Sequence, residues 1–287
     1  MSINDNILIK IREMRDSFTP VERMVGDYIL ENTEEIPHLS IKELAQGSKT
    51  SDASVLRFCK TMGYSGYRQF IVSISASLGS RDEDIKAQYT DIRPGDELST
   101  IISNISLNNM KSIEDTLSVI DRVEIARAVD LLCSSKRIAF FGVGASGLIA
   151  MDGQQKFSRI NKICHAYTDA HSQLTAATLL TEEDTAIFIS NSGITIDILD
   201  ALETAQKNKA TCIAITKYNR SALAERADIV LSISTPEITM RSGAMGSRIA
   251  MLTVIDILFA GVASVDYENI KKYLTQTHNI VTRKLKL

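Results

Sequence analysis

Two short loops rich in glycine and hydroxyl-bearing residues carry the clearest chemical signal in this 287-residue chain. The first, GVGASG, spans 142–147, and the second, SNSGIT, spans 190–195. Each leaves a short apolar run and enters a stretch with helical spacing. Glycine lets the backbone approach an anion, a helix start offers unpaired N–H groups, and serine and threonine add neutral donors. Together the loops predict a site for a phosphate group on a polyhydroxylated molecule.

The predicted contacts to this anion come from both loops. The loops lie at the carboxyl ends of predicted parallel strands, where open α/β sheets bind their ligands. Neither loop contains a lysine or arginine, so we expect neutral donors and helix dipoles to do most of the binding. The predicted anion-binding residues are Ser146, Ser190, Asn191, Ser192, Gly193 and Thr195.

Each loop taken alone has other interpretations. Dinucleotide-binding folds also use a glycine-rich turn after a strand, but the first loop is not G-x-G-x-x-G, because Leu148 and Ile149 follow Gly147. Asp169 is the acidic residue best placed for a ribose contact. Glycines that serve only tight turns are a further alternative. The presence of two such loops favours the phosphate site.

Accessory polar residues lie near these loops in the predicted order of elements. Asp169 and His171 begin the helix after the second strand and are candidates to touch the sugar, although Asp169 also suits a helix N-cap. Arg241 and Arg248 flank the Gly/Ser-rich segment RSGAMGSR. We expect that segment to become ordered when a ligand binds.

A second chemical signal lies near the N-terminus, where the spacing predicts a helix (41–46), a turn (47–50) and a helix (51–62). Ser51 is the expected N-cap of the second helix. Its apolar residues recur at i, i+3, i+4 and i+7 and face a core; they are Val55, Phe58, Cys59 and Met62. Residues 40–75 carry five basic and two acidic side chains, a local excess in a chain of net charge −3.

This arrangement predicts a DNA-binding surface. A recognition helix enters the major groove by its N-terminal residues, and small polar side chains and arginine reach base edges there. We expect Arg57 to read a base, while Lys49, Lys60 and Arg68 contact phosphates. Periodicity alone leaves open an ordinary helical hairpin in a bundle. The predicted DNA-binding residues are Lys49, Ser51, Ser54, Arg57, Lys60 and Arg68.

The elements that position these two sites belong to different fold classes. Up to residue 78 the pattern is all helical: Thr19 and Pro20 start one helix, Pro37 is expected to end it, and Ser40 caps the next. Residues 79–100 are polar and are interpreted as a linker. In 101–287, five short apolar runs alternate with helices, which predicts a five-stranded parallel sheet flanked by helices. The runs are 137–142, 163–167, 185–190, 211–216 and 229–232.

Composition excludes several classes of protein. The four cysteines (Cys59, Cys133, Cys164 and Cys212) form no C-x-x-C pair, which argues against a structural zinc site or a disulfide framework and fits a reducing cytosol. No signal peptide is visible. The most apolar stretch, 249–265, contains Asp256 and falls short of the roughly 20 residues that span a bilayer. We therefore expect a buried core or interface helix there, and a cytoplasmic protein without a membrane, metal or cofactor.

The N-terminal residues resemble a known family. The stretch SIKELAQGSKTSDASVLRFCKTMGYSGYRQF (40–70) is similar to the helix-turn-helix of the RpiR/MurR family of bacterial sugar regulators. The similarity is clearest in the run from Ser51 to Phe58 and in the GYSGY tail after the recognition helix.

The body resembles the SIS (sugar isomerase) domain from about residue 121 to 265. In that domain an S-x-S-G-x-T loop cradles the phosphate, and a first-loop serine, here Ser146, also contacts it. The resemblance implies that Glu237, in the loop after the last strand, lies near the sugar hydroxyls, although a solvated loop charge is the alternative. The Asp169-x-His171 pair is similar to the one in the branch of the family that senses N-acetylmuramic acid 6-phosphate.

These resemblances imply a non-enzymatic regulator of carbohydrate or amino-sugar catabolism. Its expected partners are double-stranded DNA with a palindromic operator, a phosphorylated sugar effector, and further copies of itself in a homodimer or homotetramer. The rival is an aldose–ketose phosphate isomerase with an appended helical domain. Isomerisation needs a general base and usually an acid, and Glu237 and His171 are available for those roles. An isomerase has no need of the helical head.

Overall fold

The N-terminal part of the chain is a bundle of five helices, called the head here. The computed structural model describes residues 6–78, 95–235 and 244–284. Capping boxes begin two head helices: Thr19 pairs with Glu22, and Ser40 pairs with Glu43. The helices are α1 (Ile7–Met14), α2 (Pro20–Glu31), α3 (Ile41–Gly47), α4 (Asp52–Thr61) and α5 (Tyr67–Leu78).

Aromatic rings hold the head together. Phe58 is fully buried, and its ring lies edge-on to Phe18 at 5.2 Å and to Phe70 at 5.9 Å between centroids. Edge-to-face pairs of this kind are favoured by the quadrupole of the ring. Ile7 and Ile11 of α1 are also buried in this core.

The remainder of the described chain is an α/β body. Asp121 caps α7 by accepting from the backbone N–H groups of Val123 and Glu124. The helices are α6 (Leu98–Val119), α7 (Arg122–Ser134), α8 (Ala145–Ser158), α9 (Ala170–Thr178), α10 (Ile196–Lys207), α11 (Ala222–Arg226), α12 (Met245–Val265) and α13 (Tyr267–Lys284). The strands are β1 (Ile138–Gly142), β2 (Cys164–Tyr167), β3 (Thr185–Ile189), β4 (Thr211–Lys217) and β5 (Ile229–Ile233).

The five strands form one parallel sheet in the order β2-β1-β3-β4-β5. Alternate side chains of β1 point to opposite faces, so Phe140 joins the core under α7, α8 and α12, while Phe141 joins the core under α9, α10 and α11. The direction in which successive strands join the sheet reverses at β1. The chain passes from β1 to β2 on one side, and it then crosses back to place β3 on the other side of β1. This switch point places the loops that follow β1 and β3 next to each other.

The predicted fold class and all five strands are confirmed, with strand ends differing by at most one residue. Two boundaries were wrong. α2 ends at Glu31, well before Pro37, which lies in a separate short 3₁₀ turn. α6 begins at Leu98, so the last three residues of the predicted 79–100 linker are helical. Residues 79–94 lie outside the described residues.

The most apolar helix is α12. Among the described helices it alone is long and apolar enough to cross a membrane by length and composition. In this structure one side of it, including Val254, Ile255 and Leu258, is fully buried in the core of the body. It packs against α6, α7 and α8. The predicted core helix is confirmed.

All four cysteines are free. Burial raises the pKa of the Cys59 and Cys212 thiols to about 12 and that of the Cys164 thiol to about 11. A thiol with such a pKa is protonated and unreactive at neutral pH.

An ion pair ties the N-terminal ends of β1 and β3. The fully buried carboxylate of Asp184 accepts from Arg137 at 2.5 and 3.0 Å and from the backbone and hydroxyl of Thr181 at 2.8 and 2.9 Å. Burial alone would raise the pKa of Asp184, but the hydrogen bonds from Arg137 and Thr181 outweigh it and lower that pKa.

Asp184→Asn is expected to lower the free energy of unfolding by about 1.5–3 kcal/mol at neutral pH, the range for hydrogen bonds to a charged group. A lowered folded-state pKa stabilises the fold above the unfolded-chain value of about 4, and this stability is lost as the pH falls through the folded value. Urea unfolding should therefore show the gap between wild type and variant closing as the pH drops below about 4. A gap that stays constant would contradict this assignment.

Candidate functional site

A cleft opens at the switch point of the sheet, between the loops that follow β1 and β3. The first residues of α12 form its third wall. Main-chain hydrogen bonds join Ser190 to Ile215 and Lys217 to Asn191, so the second loop is anchored to the end of β4. The lining residues are Val143, Ala145, Ser146, Ser190, Asn191, Ser192, Thr195, Ala244, Ser247, Arg248 and Met251.

Three helices begin at this cleft. Ser146 lies in the first turn of α8, Thr195 is the N-cap of α10, and Ser247 lies in the first turn of α12. The first turn of a helix has N–H groups without an intrahelical acceptor, and its dipole attracts negative charge. The cleft therefore combines three helix starts with four hydroxyl groups from its two loops, which is the chemistry of an oxyanion site.

The second loop is held in a fixed conformation by Ser190 and Gly193. The Ser190 hydroxyl accepts from the Gly193 N–H at 3.2 Å and lies 3.1 Å from the Thr195 hydroxyl. Gly193 has φ +65°, and a Cβ there would lie 2.1 Å from Ser221 Oγ. Only glycine fits this position without strain. Its backbone oxygen accepts from Leu223 N at 3.0 Å.

The structure brings most of the predicted anion-binding residues together. Ser146, Ser190, Asn191, Ser192 and Thr195 all line the cleft. Asn191 Oδ1 is buried and has no hydrogen-bond partner among the described residues.

One predicted contact differs. Gly193 does not line the cleft; it is buried against Ser221 and Thr216 and shapes the loop through its backbone. Glu237 and Arg241 lie outside the described residues.

The sequence pattern singled out Arg248 only as a flank of the Gly/Ser-rich segment, and it gave no sign of Ser247 or of the start of α12 as a wall of the cleft. Ser247 and Arg248 line the cleft from the start of that helix, so a cationic residue lies beside the predicted anion-binding residues. That neutral donors and helix dipoles do most of the binding stays a prediction, to which Arg248 adds a cation. The Gly/Ser-rich segment precedes an apolar helix in the sequence, but only the packing of α12 on the sheet shows that this segment returns to the two loops.

Asp169 has a structural role. Its carboxylate caps α9, accepting from Ser172 N at 3.0 Å and from the Ser172 hydroxyl at 2.5 Å. The hydrogen bond from the Ser172 side chain lowers the pKa of Asp169. Neither Asp169 nor the exposed His171 lines the cleft.

The second candidate site is the helix-turn-helix of α3 and α4. Ser51 caps α4 by accepting from Ser54 N at 3.3 Å, as expected. Val55, Phe58, Cys59 and Met62 are buried as predicted. Lys49 occupies the turn with φ +54°. Five predicted DNA contacts are exposed on the surface of this unit: Lys49, Ser51, Arg57, Lys60 and Arg68.

The sixth predicted DNA contact, Ser54, was wrongly expected on the outer surface. It is 7% exposed, and its hydroxyl lies 2.9 Å from Ser51 Oγ. It also accepts from Arg57 Nη2 at 3.2 Å. Ser54 therefore orients the Arg57 guanidinium at the start of α4, and Arg57 keeps donors free in its planar fork.

Two family models match the chain. The helix-turn-helix domain of the rpiR family matches residues 5–81, and the SIS domain matches residues 131–261. The first region covers the head and the second covers the sheet and the cleft.

Several relatives match nearly the whole chain. An uncharacterized HTH-type transcriptional regulator of Caldanaerobacter subterraneus is 42% identical over 96% of this chain and 97% of its own. The HTH-type transcriptional regulator HexR of Pseudomonas aeruginosa is 34% identical over 92% of each chain. Among solved structures, the Vibrio vulnificus NanR protein complexed with ManNAc-6P is 28% identical, with a TM-score of 0.61 over 97% of this chain and 98% of its own.

The head has the fold and the exposed basic residues of a helix-turn-helix, and the sheet and the cleft lie in the region that matches the SIS domain. Both family models and the relatives of full length agree with this division. The chain therefore belongs to the rpiR family of helix-turn-helix transcriptional regulators that carry a SIS domain.

Proposed function

We propose that this regulator controls genes of carbohydrate or amino-sugar catabolism and that a phosphorylated sugar bound in the cleft changes its affinity for DNA. The observation that carries the proposal is the convergence of three helix starts, Ser146, Ser192, Thr195 and Arg248 on one cleft. A relative with the same overall fold, NanR, is complexed with ManNAc-6P. The protein would act in the cytoplasm, where such metabolites and the chromosome are found together.

In the bound state the phosphate would accept from the loop hydroxyls and from the first-turn N–H groups of α8 and α10. Arg248 would neutralise part of its charge through charge-assisted hydrogen bonds, which are stronger than neutral ones. Asn191 Oδ1 would accept from a sugar hydroxyl. This division of roles separates the phosphate, which gives affinity, from the sugar, which gives specificity.

At the DNA, Arg57 would read a base edge in the major groove from the start of α4, with Ser51 beside it. Lys49, Lys60 and Arg68 would contact backbone phosphates, which fix the register of the head without reading sequence. Two heads in a homodimer, or two pairs in a homotetramer, would meet a palindromic operator, because a two-fold axis in the protein matches one in the DNA. Sedimentation at micromolar concentration tests this assembly.

An aldose–ketose phosphate isomerase is the second candidate, because SIS domains are also found in isomerases. We propose that this chain is not an enzyme, and the support is its helix-turn-helix head together with relatives of full length that are regulators. Two assays on the full chain distinguish the two functions. One measures isomerase turnover of hexose phosphates, and the other measures binding to fragments of chromosomal DNA. Turnover without DNA binding would favour the isomerase.

The effector site predicts a graded loss of affinity. A thermal-shift screen of hexose and N-acetylhexosamine phosphates identifies the best binder, and calorimetry then compares variants. Ser192→Ala should weaken binding about tenfold, since one hydroxyl to a charged acceptor is worth about 1.5 kcal/mol. Arg248→Gln should cost about 1.5–3 kcal/mol, and only for the phosphorylated sugar. The matched control is Ser158→Ala, an exposed hydroxyl at the other end of α8.

The triple variant at Ser190, Ser192 and Thr195 should lose the effector response while retaining DNA binding in its absence, because the head has its own core. If the triple variant binds the sugar phosphate as tightly as wild type, the site lies elsewhere.

The proposed DNA interface predicts two different effects of substitution on DNA binding. Arg57→Ala should cost roughly 1–3 kcal/mol on the operator and relax sequence preference at one position, whereas Lys60→Ala should weaken all sequences about equally and reduce the salt dependence. Gel shifts with an operator selected from a random library measure both. Operator affinity unchanged in Arg57→Ala would refute the role of Arg57.

A further inference from the structure

A cluster of charged side chains lies between the head and the body, at the end of the sheet that carries the cleft. We call Arg12, Glu13, Asp115, Lys111 and Lys217 the junction cluster. Arg12 and Glu13 belong to α1 of the head; the other three belong to the body. Arg12 Nη2 lies 2.6 Å from Asp115 Oδ2 and 2.8 Å from Glu13 Oε1. Lys111 lies 3.0 Å from Asp115 Oδ1, and Lys217 lies 3.1 Å from Glu13 Oε2.

The two carboxylates of the junction cluster are deeply buried. The side chains of Glu13 and Asp115 are 1% and 0% exposed. A buried carboxylate that loses its cation is strongly destabilised, so Glu13 depends on Arg12 and Lys217 being held in place. The head therefore cannot shift at α1 without changing the partners of Glu13.

Both body segments that meet Glu13 come from strand ends near the cleft. Lys217 ends β4, and its backbone N–H donates to the backbone oxygen of Asn191, a lining residue, at 3.3 Å. Ser234 follows β5; its hydroxyl donates to Glu13 Oε1 at 2.9 Å and accepts from Arg12 at 3.0 Å. One residue, Lys217, thus contacts the anion-binding loop through its main chain and the head through its side chain.

The next residue strengthens the same connection. The Tyr218 ring packs against the hydrophobic core of the head, and Lys10 Nζ of α1 lies 5.6 Å from its centroid. Tyr218 N donates to Ile233 O at 2.8 Å, so β4 and β5 move together at this end. A displacement of the loop after β3 reaches α1 through two consecutive residues.

We infer that Lys217 is a positioning residue that couples occupancy of the cleft to the placement of the head, by way of its ion pair with Glu13. The inference rests on the proposed effector site. An anion that draws the loop 190–195 inward acts on Asn191, hence on the end of β4, and hence on the Lys217–Glu13 pair. By linkage, the factor by which effector changes DNA affinity equals the factor by which DNA changes effector affinity, and this factor is what Lys217 would set.

Hydrogen–deuterium exchange on the full chain tests the inference, with inorganic phosphate as the probe and chloride at equal ionic strength as the control. In the wild type, saturating phosphate should slow exchange in peptides that contain the loop 190–195 and also change exchange in α1. In Lys217→Met the loop should still be protected, while α1 no longer responds. Lys217→Arg should restore the response. Lys207→Met is the matched control, because Lys207 pairs with Glu203 within the body.

The possible outcomes distinguish the coupling role of Lys217 from the existence of the phosphate site. If phosphate protects the wild-type loop but α1 does not respond, or if α1 responds equally in Lys217→Met, the coupling role is wrong and the site stands. If the wild-type loop is not protected, the site itself fails and the inference fails with it.

A second variant keeps the test valid if Lys217→Met destabilises the fold. Glu13→Gln removes the charge of the partner while keeping its size and its ability to accept from Ser234. Glu13→Gln should therefore also leave the loop protected by phosphate while α1 no longer responds. A Glu13→Gln variant in which α1 responds to phosphate as in the wild type would overturn the inference.

Discussion

The reversal of strand order between β1 and β3 is the constraint on which the rest of this molecule depends. It sends α8 to one face of the sheet and α10 to the other, so that the loops leading into them diverge and leave a cleft at their carboxyl ends. Helix α12 then packs on the α8 face and brings its own first turn to the same place. The convergence of three helix starts follows from this topology, because each wall of the cleft is the start of a helix.

The junction between head and body is polar where a permanent domain contact would be apolar. Buried charges held by several partners are costly to desolvate and sensitive to small displacements. Such a contact suits a domain interface that has two arrangements better than a fixed interface, because packed interfaces switch between discrete arrangements. The hydrophobic cores of the head and of the body are separate clusters, with Tyr218 the body residue that reaches the core of the head. The head therefore has a hydrophobic core of its own.

Local patterns allowed much of the fold and the site to be predicted from the sequence. The N-caps at Thr19 and Ser40 were predictable because a cap depends on residues within one helical turn. The five strands were recognisable because they are short, apolar and bounded by turns. The loops after β1 and β3 were identifiable because two turns rich in glycine and hydroxyl residues each lead from a strand into a helix.

What could not be predicted depends on contacts between residues distant in sequence. Arg248 enters the cleft only because α12 crosses back over the sheet, and no local pattern encodes that crossing. Arg12 and Glu13 look like the solvated face of an amphipathic helix, and their burial arises from packing against Asp115 and Ser234 more than 100 residues away. Ser54 was expected on the outer surface because its spacing places it on the same helical face as Arg57. Its small side chain instead contacts the N-cap residue Ser51. Charge and spacing identify these residues, but only the tertiary structure gives their partners.

The central claim is that the cleft at the switch point holds the phosphate of a sugar. A crystal structure of the full chain with the sugar phosphate that raises its melting temperature most would test this directly. The account predicts phosphate oxygens within hydrogen-bonding distance of Ser146, Ser192 and Thr195, with the Arg248 guanidinium turned toward them. A sugar phosphate bound elsewhere on the chain, with the cleft between the β1 and β3 loops empty, would contradict it.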